Sequence, residues 1–238
     1  MTETIYAGSY WGARQESAEA CALRMEVLLT SLANVDPGFV QWFQQGRSRK
    51  AALQRPIEPR ATALEKLFRR GQDRVFEDLG FRMSGWNGAS DDRDASGFDV
   101  TCGGHSQATG NFCVFNLPSQ GTHSERVLST PVLGGLVRSM AVAWEPEWAI
   151  ATSSAHRNMV TDNPKPGTFV GWVMYLARVR GTVPPLPAPV RIEPVEDKGT
   201  LIILTPERFT VKNPEHLALA EQVRGLLAQA GLMKPLAP

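Results

Sequence analysis

Apolar residues along this chain recur at two periods, and a proline or glycine often stands where one period gives way to the other. Leu133, Leu136, Val137 and Met140 fall at helical spacing, with Thr130 as the expected N-cap and Pro131 at the first helical position. Trp148-Ala149-Ile150-Ala151-Thr152 then reads as a short buried strand. Pro146 cannot continue the helix and disfavours helical geometry at Glu145, so an extended crossover is expected there. An extended crossover would put Trp144, Pro146 and Trp148 on one face and Glu145 and Glu147 on the other. Two readings follow: indoles anchoring a core corner while the carboxylates stay wet, or an acidic, aromatic-edged contact surface for a protein partner.

From the start of the chain, Ile5 to Trp11 predicts a strand ending at Gly12, and Cys21, Met25, Leu28 and Leu32 stripe a long helix stopped by Asn34 and Asp36-Pro37-Gly38. Phe39, Trp42 and Phe43 form a short aromatic element. The basic run Arg47, Arg49, Lys50 and Arg55 follows and reads as a solvated loop or helix face, because it lacks the interleaved aromatics of a single-stranded nucleic-acid site. Leu64, Leu67 and Phe68 predict a helix opening at Pro59 and ending at Gly71. Three strands, Phe81 to Trp86, Phe98 to Cys102 and Phe112 to Leu117, suggest an antiparallel meander joined by turn-rich loops.

Beyond the Trp144 corner, a polar loop is expected over 153–167, a buried strand over Phe169 to Leu176, and polyproline II over Thr182 to Pro189. Val190 to Val195 and Gly199 to Leu204 predict a hairpin turning at Glu196-Asp197-Lys198. Asn213 and Pro214 open a last helix with Leu219, Val223, Leu226, Leu227 and Ala230 as its stripe and Gly231 past its end. Helices and strands are partly segregated. The expected class is α+β, a mostly antiparallel (mixed) sheet packed by helices, as a single compact unit over residues 1–238.

Composition narrows the function. The 238 residues are 42% hydrophobic and 21% charged, in the range of an ordinary globular protein. A net charge of +1 argues against direct nucleic-acid or membrane binding driven by global charge, and equally against wholesale imitation of DNA. Cys21, Cys102 and Cys113 are too few and too far apart for a disulfide framework, which points to a reducing compartment. Met1 to Tyr6 is neither basic nor apolar, and no run approaches the roughly 20 apolar residues of a membrane span. The expected location is cytoplasmic.

Candidate chemistry is sparse. Cys102, His105 and Cys113 offer three zinc ligands in one hairpin, but a structural site needs a fourth. Glu196-Asp197-Lys198 resembles part of a restriction-type nuclease site, yet it occupies a hairpin turn without a matching upstream Asp. Asp91, Asp92 and Asp94 lack calcium-loop spacing and read as a solvated turn or a contact for a basic partner. No catalytic residue, metal or cofactor is expected.

The chain resembles the immunity protein 52 family of bacterial polymorphic toxin systems. The resemblance is carried by Tyr6, Tyr10-Trp11-Gly12 with Arg14 and Glu16, Asp36-Pro37 with Phe39 and Trp42, Leu79-Gly80-Phe81, and Trp86-Asn87-Gly88. It continues through Cys102-Gly103, Asn111, Leu117-Pro118, Trp144-Glu145-Pro146 with Trp148, Gly171-Trp172 with Tyr175, Asn213-Pro214 with His216, and Gly231-Leu232. It implies a non-enzymatic cytoplasmic antitoxin that binds a cognate restriction-endonuclease-like nuclease toxin, often an effector of type VI secretion. Asp91, Asp92, Asp94, Glu145 and Glu147 are the candidate contacts with that toxin. The alternatives are a metal-dependent hydrolase and an effector chaperone or adaptor.

Overall fold

The computed structural model describes residues 3–106, 110–160 and 164–236; parts of the expected 103–110 and 153–167 loops lie outside them. Eight strands, β1 (Ile5–Trp11), β2 (Phe81–Trp86), β3 (Gly97–Cys102), β4 (Asn111–Asn116), β5 (Trp148–Ser153), β6 (Val173–Ala177), β7 (Arg191–Val195) and β8 (Gly199–Ile203), form one sheet among the described residues. The order is β2-β3-β4-β1-β5-β6-β8-β7, with every neighbouring pair antiparallel. Strands from the first and last thirds of the chain thus share one hydrogen-bonded layer. The α+β expectation holds, and the predicted meander is the β2-β3-β4 half.

The helices are α1 (Ala18–Leu32), α2 (Arg49–Leu53), α3 (Ala61–Arg70), α4 (Thr122–Val127), α5 (Thr130–Trp144), α6 (Ser154–Val160) and α7 (Pro214–Gln229). Register separates the two faces of the sheet. Trp11, Cys113, Phe115, Val100, Phe98 and Met83 share one face, where α1, α3 and α5 pack and Trp144 stacks on Trp11 at 5.3 Å between ring centroids. The opposite face is covered only in part. There Phe169 meets Trp148 edge-on at 5.0 Å, and α6 and α7 meet beside Val170. Over β2, β3 and β4 that face stays open, with Arg82 and Asp99 exposed and Ser84, Phe112 and Val114 half-buried around a groove of about 670 Å³.

Several expectations shift. Ser129, not Thr130, precedes α5, because the Thr130 hydroxyl donates to the Thr205 and Pro206 carbonyls and ties α5 to the end of β8. Glu145 is left-handed (φ 48°, ψ 54°) rather than extended: its N–H closes the helix on the Ala141 carbonyl, and this C-terminal cap reverses the chain in time for β5. Trp144, Pro146 and Trp148 are buried and Glu145 is exposed, but the expected shared face does not form: Trp144 stacks on Trp11 on the helix side, Trp148 meets Phe169 on the opposite side, and Glu147 is half-buried. Helix α6 replaces part of the expected polar loop, capped by Ser153 Oγ on the His156 N–H. Strand β6 starts at Val173, Phe169 having gone to the Trp148 contact. Helix α3 opens at Ala61 after Arg60 rather than at Pro59. The 182–189 segment forms neither helix nor strand and ends in a turn at Ala188–Pro189. Helix α7 buries His216, Ala220, Val223 and Leu227, leaving Leu219 and Leu226 half-buried and Ala230 exposed, because His216 stacks on Phe209 and accepts the Thr210 N–H.

Candidate functional site

The Trp144 corner is a core anchor. Trp144 and Trp148 are fully buried, and Trp11, Trp42 and Trp172 are buried with them; only Trp86 is partly exposed. The reading of an aromatic-edged surface is therefore corrected: the indoles supply the core's largest apolar surfaces, and burial claims them.

The charged groups around this corner are also engaged. Arg14 and Arg24 donate to the Trp144 and Ala143 carbonyls, satisfying the last carbonyls of α5 with positive charge at its negative end. Both arginines also hold Glu16, at 3.1 and 2.6 Å. Glu145, exposed at the helix end, bonds Lys198 at 2.7 Å and Arg24 at 3.2 Å. The Lys198 hydrogen bond leads in holding the Glu145 carboxyl below its usual range, with Arg24 adding to it. Glu147 accepts the Gly12 N–H at 3.2 Å and lies 3.9 Å from Arg180, whose own pKa is lowered by burial. Arg180 in turn donates to the Leu232 and Lys234 carbonyls, pinning the C-terminal segment. With Glu196 at 3.8 Å from Lys198, the ion pairs of the corner set four cations against four carboxylates.

The second acidic group sits elsewhere. The loop carrying Asp91, Asp92 and Asp94 joins the end of β2 to the start of β3, where Gly97 pairs with Asn116 and Asn116 with Tyr6. The Glu145 corner lies at the opposite strand ends, where Trp148 pairs with Tyr10 and Tyr10 with Phe112. The five candidate residues therefore form two separate sites. Asp91 caps its own turn and holds Arg93 at 2.9 Å, and the Arg93 side-chain hydrogen bond leads in lowering its pKa. Asp94 accepts the His123 N–H at 2.9 Å. Asp92 is exposed and has no side-chain partner among the described residues.

The metal-ligand candidates do not converge. Cys102 and Cys113 point into the dry helix-side face, while His105 is exposed on the loop beyond β3. Among the described residues no group of three potential ligands is close enough to hold a metal ion. Lys198 of the nuclease-like tripeptide is committed to Glu145, and left-handed Glu196 (φ 49°) begins the hairpin turn. The sequence reading passed over one further surface. Helix α3 and the 44–58 segment enclose a groove of about 320 Å³ on the outer side of β2, lined by Arg60, Lys66 and Arg70 with Glu58.

The protein is thus an α+β unit with a half-open antiparallel sheet, its candidate acidic residues mostly held by their own fold. More specifically, the chain belongs to the Immunity protein 52 family, whose model matches residues 3–236. Among solved structures it is similar to Pseudomonas aeruginosa T6SS protein PA0821, at 15% identity and a TM-score of 0.59, over 97% of this chain and 73% of that one. At that identity the likeness is one of fold. No curated protein matches the chain.

Proposed function

We propose that this immunity protein binds and neutralises a cognate nuclease toxin, delivered by type VI secretion, in the cytoplasm of the producing bacterium and without catalysis of its own. The observation that carries the reading is the family match across nearly the whole chain. The type VI secretion label on the structural neighbour is in keeping with the delivery route. Inhibition then takes the form of protein binding, by occlusion of the toxin's cleft or by holding it in an inactive shape.

Asp91, Asp92, Asp94, Glu145 and Glu147 are proposed as acidic contacts on a basic nuclease surface. Asp92 leads that set, because an unpaired exposed charge is free to meet a partner while a paired one must first break its own contact. The test is co-expression of the neighbouring-gene nuclease in a sensitive bacterium, with and without this protein, followed by co-purification. Rescue with a stable complex of the nuclease domain supports the reading. Binding only to toxin fragments outside that domain would make the protein a chaperone or adaptor, and failure of both rescue and binding would refute immunity by contact.

A further inference from the structure

The chain's near-neutral charge conceals a segregated one. Residues 47–74 carry nine Lys and Arg against Glu58, Glu65 and Asp73, a net +6 in a chain of net +1. All nine cations are exposed. The fold lays this segment along the outer side of β2: Phe43 bridges Trp86 at one end, and Gly71 and Gln72 meet Arg82 and Phe81 at the other. Helix α3, ten residues or about 15 Å long, spans the gap between those ends.

Three features separate this strip from an ordinary solvated helix face. First, it is concave: the groove between α3 and the 44–58 segment has Lys66 and Arg70 on one wall, one helical turn apart. Neither side chain has an acidic partner among the described residues, Arg70 reaching only the Lys66 carbonyl. Second, just past the end of α3, Asp73 accepts the N–H groups of Val75 and Phe76 and turns both side chains outward, 76% and 60% exposed. An exposed Phe beside arginines matches the composition of protein interfaces. Third, the strip is continuous with the acidic turn, because Arg49 of α2 donates to the Ser90 and Gly88 carbonyls and lies over Trp86.

We propose that the groove between α3 and the 44–58 segment, with the Val75–Phe76 turn beyond it, docks an acidic segment of the cognate toxin. The proposal rests on the toxin-binding reading above and places that contact on the β2 edge of the fold. Charge complementarity selects an anionic occupant. Glu58, Glu65 and Asp73, interspersed among the cations, would repel a phosphate backbone but fix the register of a protein carrying both signs.

The test uses the full chain against the catalytically inactivated toxin encoded beside it, with binding kinetics followed at low and high salt. Lys66→Glu with Arg70→Glu is expected to slow association about tenfold at low salt and flatten its salt dependence. Phe76→Ser is expected to speed dissociation about tenfold with little change in association. Every substituted side chain is exposed, so an unchanged thermal midpoint confirms the fold. Unaltered toxin kinetics in both variants overturn the proposal, and so does wild-type binding to duplex DNA that the double variant loses while toxin binding stays intact. If the unsubstituted protein does not bind the toxin at all, the toxin reading itself fails and takes this surface with it.

Discussion

Lys198 reaches from the β7–β8 turn to Glu145 at the end of α5, Nζ to Oε1 at 2.7 Å, and so joins two elements 53 residues apart. The pair is solvent-facing, and surface pairs of this kind contribute about 0.5 kcal/mol. Lys198→Met should therefore lower stability only by about that much. The pH dependence has a definite sign. Glu145 is depressed below its ordinary 4.5, so its contribution is present above that value and lost as pH falls through the lower folded value. Lys198 is raised above its ordinary 10.5, so its contribution is present below that value and lost as pH climbs past the raised one. Denaturant melts from pH 3 to 7 should show a shallower acid-side loss in Glu145→Gln than in the unsubstituted protein.

The three thiols should be silent in the native state. Cys21, Cys102 and Cys113 are fully buried; burial leads in pushing the Cys102 and Cys113 thiols up, and a hydrogen bond with Cys21 adds to the effect at Cys102. Ellman's reagent should find no reactive thiol in the folded protein and three after denaturation. Rapid native labelling would contradict the packing described for α1 against β3 and β4.

Gly71 guards a sheet edge. It ends α3, accepts the Arg82 N–H at 3.1 Å, and sits so close to the Arg82 carbonyl that any Cβ would overlap it. Gly71→Ala should cost about 2 kcal/mol and detach the segment that covers β2 at this end. An uncovered edge strand invites pairing with other chains, so this variant should also aggregate faster on heating, as light scattering would show.

Among the acidic candidates, stability and binding should separate. Asp92→Lys removes no side-chain contact within the fold, so its stability should stay within about 0.5 kcal/mol of the parent while toxin association slows. Glu147→Gln weakens the contacts with Gly12 and Arg180 and should cost about 1 kcal/mol instead. Calorimetry alongside binding kinetics measures both.

Much of this architecture could be read from local signals. Asn213 and Pro214 mark the start of α7, the Cys21-to-Leu32 stripe marks α1, and the turn at Glu196 marks the β7–β8 hairpin, since each is a short-range backbone constraint. The misses required knowledge of distant partners. Glu145 adopts its left-handed conformation in a corner held by Arg14, Arg24 and Lys198, which lie 131, 121 and 53 residues away. The two acidic groups fall at opposite strand ends because of strand order, which neither motif carries. Likewise nothing local singles out Lys66 and Arg70; they line a groove only once the 44–58 segment folds beside them.

The central claim is that this protein silences a nuclease by binding it. Its most direct test is to titrate the purified protein into a DNA-cleavage reaction run by the proposed cognate nuclease. The account predicts that cleavage falls to background at stoichiometric protein and is undiminished when the protein is left out. Undiminished cleavage at a several-fold excess, under conditions where both proteins are folded, would contradict it.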